Sequence, residues 1–286
     1  MSNSKKILIK EDVFSNAGAI IIPKGKTLKL DEHTIEILKS HGVYYEVLNS
    51  QKNTSQHEQA KNNFSHESFI KKHMLSDNEN NISLNMLKNS NSEKYQSILG
   101  IMNEFIFESR NEEWHLHLNT LFNGYNWYYS HSINVAAISA MIGLSLGYTK
   151  DQLHNLILGS LLHDSGIILI PKNILLKDKN LFTSEEKDIF EKHSSLGYEM
   201  VKHLDIPEVC KRIILDHHKL LNGKGYPKSE EGYELSIESK IIIVSDYFDS
   251  ETTTQKSPEE IINYLVNNLD EFPIEIVSVL KNEFNF

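Results

Sequence analysis

The chain has 286 residues, 40% of them apolar and 24% charged, a balance that allows a sizeable hydrophobic core. A single cysteine (Cys210) excludes an intrachain disulfide framework, and 13 Gly with 6 Pro exclude collagen-like and low-complexity classes. The net charge of −10, from 29 basic and 39 acidic residues, argues against sequence-independent binding to duplex nucleic acid, which needs a basic face.

From the N-terminus, no long apolar run follows Lys5 and Lys6, so a signal peptide is not expected. The longest apolar stretches run over 135–148 and 156–171. The first is shorter than the ~20 residues needed to cross a bilayer. The second contains His163 and Asp164, which are costly in lipid. No membrane association is expected, and the cytoplasm is the expected location.

Residues 1–48 read as a small α+β unit. Ile7-Leu8-Ile9 and Ala19-Ile20-Ile21-Ile22 are strand candidates, the second ended by Pro23-Lys24-Gly25, and Val43 to Leu48 is β-rich. The spacing of Ile35 and Leu38 predicts a helix over 31–41, stopped by Gly42. So small a unit needs a neighbour or a second copy to pack against, which leaves a homodimer open. Residues 49–94 read as a polar, partly helical linker. From 95 to 286 the period is helical, beginning with Ile98, Ile101, Met102, Phe105 and Ile106. Thr149 before Gln152, Thr183 before Glu186, and Ser257-Pro258 before Glu260 mark helix starts. The fold class is therefore mainly α: a helical domain preceded by a small α+β unit and a linker.

Fourteen histidines are the unusual feature. His163-Asp164 and His217-His218 each close an apolar helical run, His131 begins one, His193 lies in the helix opened by Thr183, and Asp246 follows Ile241-Ile242-Ile243-Val244. A lone histidine on a helix is usually a satisfied core or surface residue. His115, His117, His154 and His203 are read that way, and His33, His41, His57, His66 and His73 as surface or linker. Seven such placements on consecutive helices point instead to a shared metal site. Five imidazoles and two carboxylates suit Fe, Mn, Zn or Ni better than the all-oxygen shells of Mg or Ca, and seven donors are too many for one tetrahedral ion. Cys210 is read as a small buried hydrophobe.

These residues resemble the HD-GYP subgroup of HD-domain metal-dependent phosphohydrolases. His163-Asp164 and His217-His218-Lys219-Leu220-Leu221-Asn222-Gly223-Lys224-Gly225-Tyr226-Pro227 carry the resemblance. His131 to Ala136, Ile170-Pro171 through His193, and Asp246-Tyr247-Phe248-Asp249 add further segments, so that it covers roughly 125–255. It implies a helical fold, a centre of two divalent transition-metal ions (Fe or Mn), and hydrolysis of cyclic di-GMP by a metal-bridged hydroxide. His131, His163, Asp164 and Asp246 would hold one ion. Asp164 would bridge to a second, held by His193, His217 and His218. Asp249 would orient a ligand histidine or the nucleophile. Tyr226, Gly223 and Gly225 would lie beside the substrate.

The chain also departs from the family pattern. Ile167 stands where the family usually has Lys, Lys219 where it has Glu, and Lys256 is the only cation after Thr252-Thr253-Thr254-Gln255. Asn126, Trp127, Tyr128 and Tyr129 stand where some members place a third-metal carboxylate. The phosphate-gripping side is thinned, with Lys177, Lys219 and Lys224 as candidate replacements. Two alternatives to a cyclic di-GMP phosphodiesterase follow. One is a catalytically weakened domain acting as a cyclic dinucleotide receptor or protein-interaction module. The other is a phosphohydrolase with another substrate.

Overall fold

The computed structural model describes the strands of the N-terminal unit, by backbone, and residues 81–286 except 110, 229–231 and 255. The chain divides into two compact units, Met1–Asn62 with Pro171–Lys187, and Asn63–Ile170 with Asp188–Phe286. The sequence expectation of breaks at 48 and 94 did not anticipate that Pro171–Lys187 groups with the first unit.

In the first unit, β1 (Lys6–Ile9) pairs antiparallel with both β4 (Thr27–Lys29) and β5 (Tyr45–Leu48), giving the order β4-β1-β5. Strands β2 (Val13–Phe14) and β3 (Ile20–Ile22) form a separate antiparallel pair. Three of these strands coincide with the apolar runs in the sequence. The short β2 and β4 do not, because β2 is only two residues long and Thr27-Leu28-Lys29 has a single apolar side chain. The helix expected over 31–41 and the polar stretch 49–80 lie outside the described residues.

The second unit is helical. Helices α1 (Ile82–Ser90) and α2 (Ser92–Glu108) are capped by Asn81 and Asn91, whose side chains accept from Leu84 N and Lys94 N. They are followed by α3 (His115–Gly124), α4 (Asn126–Ser145) and α5 (Lys150–Leu162). Beyond a 3-10 turn over Ser165–Leu169 come α6 (Lys172–Leu175), which belongs to the first unit, and α7 (Ser184–Glu191), which begins in it, then α8 (His193–Val201), α9 (Glu208–Asp216), α10 (Ile237–Thr252), α11 (Pro258–Asn267) and α12 (Ile274–Glu283). The reciprocal capping boxes expected at Thr149–Gln152 and Ser257–Glu260 are formed. Thr183 N likewise donates to Glu186 Oε2 while Glu186 N donates to Thr183 Oγ1.

Helix α4 is the hub. Ile133, Val135, Ala136, Ala137, Ile138, Ala140 and Ile142 are all fully buried, so the helix is apolar all round. It packs most extensively against α5 and also against α10, α2 and α3. Each Leu or Ile buried here contributes roughly 1.5–3 kcal/mol. That burial fixes the helix ends from which the polar side chains project. Among the described residues no helix is long and apolar enough to cross a membrane.

Candidate metal centre

Three helix ends build the cluster in the same way. The last carbonyls of an α-helix have no intrahelical partner. His163, just past α5, turns its Nδ1 back to Ser160 O at 2.6 Å. His193, just past α7, donates to Phe190 O at 2.6 Å, and His217, just past α9, to Ile214 O at 2.8 Å. A carbonyl only accepts, so Nδ1 carries the proton in all three and each Nε2 presents a lone pair to the interior. This explains why the sequence places His163 and His217 at the ends of apolar runs.

Asp164 stands between two groups of histidines. Its Oδ2 lies 3.3 Å from His163 Nε2 and 3.9 Å from His131 Nε2, and its Oδ1 lies 3.4 Å from His193 Nε2 and 3.8 Å from His217 Nε2. His163 and Asp164 are sequence neighbours, yet they converge because α5 ends at Leu162 and Asp164 leaves helical geometry. Asp246, from the buried middle of α10, places Oδ1 at 2.9 Å from His131 Nε2 and Oδ2 at 3.4 Å from His218 Nδ1. The donor atoms of Asp164, His193, His217 and His218, and those of His131, His163 and Asp164, lie within 4.8 Å of one another in each group.

The donor set fits a divalent transition metal. His193 Nε2 and His217 Nε2 face each other at 3.1 Å. Among the described residues His163 Nε2 is buried with no hydrogen-bond partner. Buried lone pairs in this state are costly unless a cation takes them. Burial and the neighbouring His218, His163 and His193 hold the His217 imidazole well below its usual range, which keeps it neutral. Burial opposes ionisation of Asp164, but the surrounding histidines outweigh it and hold the carboxyl well below the usual carboxylate range.

Behind these donors lies a supporting shell. His131 donates Nδ1–H to Asp249 Oδ2 at 2.7 Å, which turns Nε2 toward the cluster. Asp249 also accepts from Asn134 Nδ2 at 3.0 Å and from Ser83 Oγ. Burial opposes protonation of His131, but its bonds to Asp246 and Asp249 prevail and push the imidazole up to about 10. Ser83 and Asn134 were not singled out from sequence. Asn134 sits three residues after His131 on the same helical face, which is a readable signal. Ser83 lies in an Asn- and Ser-rich stretch read as linker, which gave none.

The loop after His218 carries Tyr226. Gly225 lets this loop fold closely: a Cβ there would stand 2.2 Å from His218 O. Tyr226 N then donates to His218 O at 3.0 Å, and the phenol ring lies 4.7 Å from the His218 ring and 6.0 Å from that of His193. Gly223 lies in the exposed turn of this loop. Lys224 is exposed and 3.5 Å from Glu271. Lys177 belongs to the first unit, where it pairs with Glu186 at 2.6 Å.

Lys219 is not a free cation for a ligand. It is buried, 2.9 Å from Asp216 Oδ1, and its ammonium lies 3.7 Å from the Tyr233 ring centroid. Tyr233 Oη and Ser239 Oγ complete the shell of Asp216. Ile167 is fully buried. Of the histidines read as bland, His115 is buried and stacks on Trp114 at 4.1 Å. Cys210 is buried, and its thiol donates to Asn155 O.

A helical fold that gathers histidines and a second aspartate around one central aspartate defines a class of metal-site proteins. A profile of the HD domain family matches residues 115–270, and the chain belongs to that family. It is similar to the cyclic di-GMP phosphodiesterase response regulator RpfG of Xanthomonas campestris, 30% identical over 115 residues, which take in 40% of this chain and 30% of the relative. It is also similar to a cyclic di-GMP phosphodiesterase of Thermotoga maritima, 31% identical over 122 residues, or 42% of this chain and 33% of the relative. A third relative, the 3'3'-cGAMP-specific phosphodiesterase 2 of Vibrio cholerae, is 34% identical over 91 residues, 31% of this chain and 17% of the relative. The matched region thus spans at most a third of the length of these relatives. The fold is shared with the HDG"Y"P protein Bd1817 of Bdellovibrio bacteriovorus, with a TM-score of 0.56 at 16% identity over 100% of this chain and 96% of that one.

Proposed function

We propose that the protein is a metal-dependent phosphodiesterase that hydrolyses cyclic di-GMP or a related cyclic dinucleotide at the His/Asp cluster. The observation that carries this reading is Asp164, with one carboxylate oxygen toward each histidine group. His131, His163, Asp164 and Asp246 would hold one ion, and Asp164 with His193, His217 and His218 a second, Fe or Mn. Two such ions would activate water and neutralise charge on the phosphoryl oxygens. Asp249 fixes the proton on His131 Nδ1 and so keeps Nε2 aimed inward. Tyr226 and the Gly223–Gly225 turn would border the substrate. The named activities of the relatives support the substrate class.

A second reading, a receptor that binds the dinucleotide without turning it over, is favoured by Ile167 and by the capture of Lys219 in an internal ion pair. Missing phosphate-side cations remove electrostatic stabilisation of the transition state. The deciding experiment incubates Mn- or Fe-loaded protein with cyclic di-GMP. Linear dinucleotide or GMP is expected. Tight binding without product would establish the receptor, and cleavage of a generic phosphodiester without dinucleotide binding would point to another substrate. Failure to take up metal would overturn every version.

A further inference from the structure

Trp127 lies in the first turn of α4, four residues before His131 and thus on the same helical face. Its indole stacks on the His131 imidazole, with centroids 5.1 Å apart and planes within 9°. Tyr128 meets it edge-on at 4.8 Å. His131 is 3% exposed whereas Trp127 is 45% exposed. One indole face is therefore turned to the imidazole, and much of the remaining surface is open to solvent. An indole left in water to this extent costs apolar surface, and here it is held parallel to a ring of the cluster instead of tucked into the core.

Across the cluster, Tyr226 lies against His218. His131 and His218 contact opposite oxygens of Asp246. The two aromatics thus rim the cluster on either side of that carboxylate. A diester whose phosphorus sits at the cluster would carry its base within reach of one rim.

We propose that Trp127 is the stacking platform for a purine base of the bound cyclic dinucleotide, and so an affinity-determining residue of this site. The inference rests on the phosphodiesterase reading above. Stacking offers affinity without base-edge hydrogen bonds, since every base has a π-face. It also supplies affinity at a site short of phosphate-gripping lysines. Tyr226 alone would offer a ring on one side only.

The test uses the full-length Mn-loaded chain and a phosphorothioate analogue of cyclic di-GMP, followed by calorimetry and by intrinsic fluorescence. The chain has two tryptophans, and the buried Trp114 serves as an internal reference. Binding should quench the emission of the unaltered protein. In W127F the quench should vanish while the Kd stays within about threefold, and in W127A the Kd should rise about tenfold or more. Metal content per chain and the affinity for inorganic phosphate should not change in either variant. Analogue binding that W127A leaves within about twofold would overturn this inference and spare the phosphodiesterase reading. Loss of metal or phosphate affinity in W127A would overturn it as well, because Trp127 would then act only by supporting His131. Absence of any analogue binding to the unaltered protein would overturn both.

Discussion

His193 and His217 point their Nε2 atoms at each other across 3.1 Å, although each ring has its Nδ1 proton committed to a backbone carbonyl. Two lone pairs so placed repel unless a cation lies between them, and burial makes a proton a poor occupant. A chelator should therefore destabilise the protein. Metal at about 100 times its Kd stabilises by about 2.7 kcal/mol, or roughly 5–10 °C in Tm for a domain of this size. Scanning calorimetry with and without chelator should show that shift, and H193A or H217A should reduce it by removing the ion held between them.

Asp164 offers one oxygen to each histidine group, so its loss affects both. Elemental analysis of D164A should find less metal than in any single histidine variant. D249A leaves all proposed ligands in place but frees the His131 ring. Removing such a supporting carboxylate typically costs about 10- to 100-fold in metal affinity. S83A and N134A should show the same effect more weakly, since each removes only one bond to Asp249.

The metal-free protein should be most stable near neutral pH. His131 is raised from an ordinary 6.5 to about 10, so its contribution is complete below 6.5 and is lost as pH rises through 10. His217 is lowered from 6.5 and Asp164 from 3.8. Their contributions are present above those values and disappear on acidification. Urea titrations across pH should therefore trace a maximum, with the acid limb beginning near 6.5. Metal loading should also release the His131 Nε2 proton, measurable as a buffer-dependent binding enthalpy.

Lys219 and Asp216 form a buried ion pair under the His217–His218 segment. Restoring the acidic residue usual in HD-GYP proteins at this place, by K219E, would set two carboxylates together. The cost should reach about 3–5 kcal/mol, the range for a buried charge deprived of its partner. K219M should cost less than K219E. Denaturant midpoints at neutral pH check the order.

Gly166 lies against the start of α8, where a Cβ would stand 2.0 Å from His193 O and 2.6 Å from Gly197 N. These are backbone atoms and cannot swing aside. G166A should cost about 1–3 kcal/mol or more and should displace His193, so that metal content falls along with Tm.

The helical class and several helix starts were legible in the sequence alone, and so were the histidines and aspartates that the fold brings close together. Capping boxes and a 3.6-residue period are local, and the motifs around His163, His217 and Asp246 are contiguous. Within the described part of the first unit, only the strands lying in continuous apolar or β-rich runs were legible. The tertiary structure decided what each residue faces. Ser83 and Asp249 are 166 positions apart and meet only because α1 and α10 pack together. Lys219, an apparent phosphate ligand by its place beside His218, turns instead to Asp216 one turn back and to the ring of Tyr233, which only the fold brings there. Trp127 owes its parallel seat on His131 to one turn of helix, but its exposure is settled by what the rest of the chain leaves uncovered. Burial and charge partnership depend on contacts between distant segments, and no local pattern encodes them.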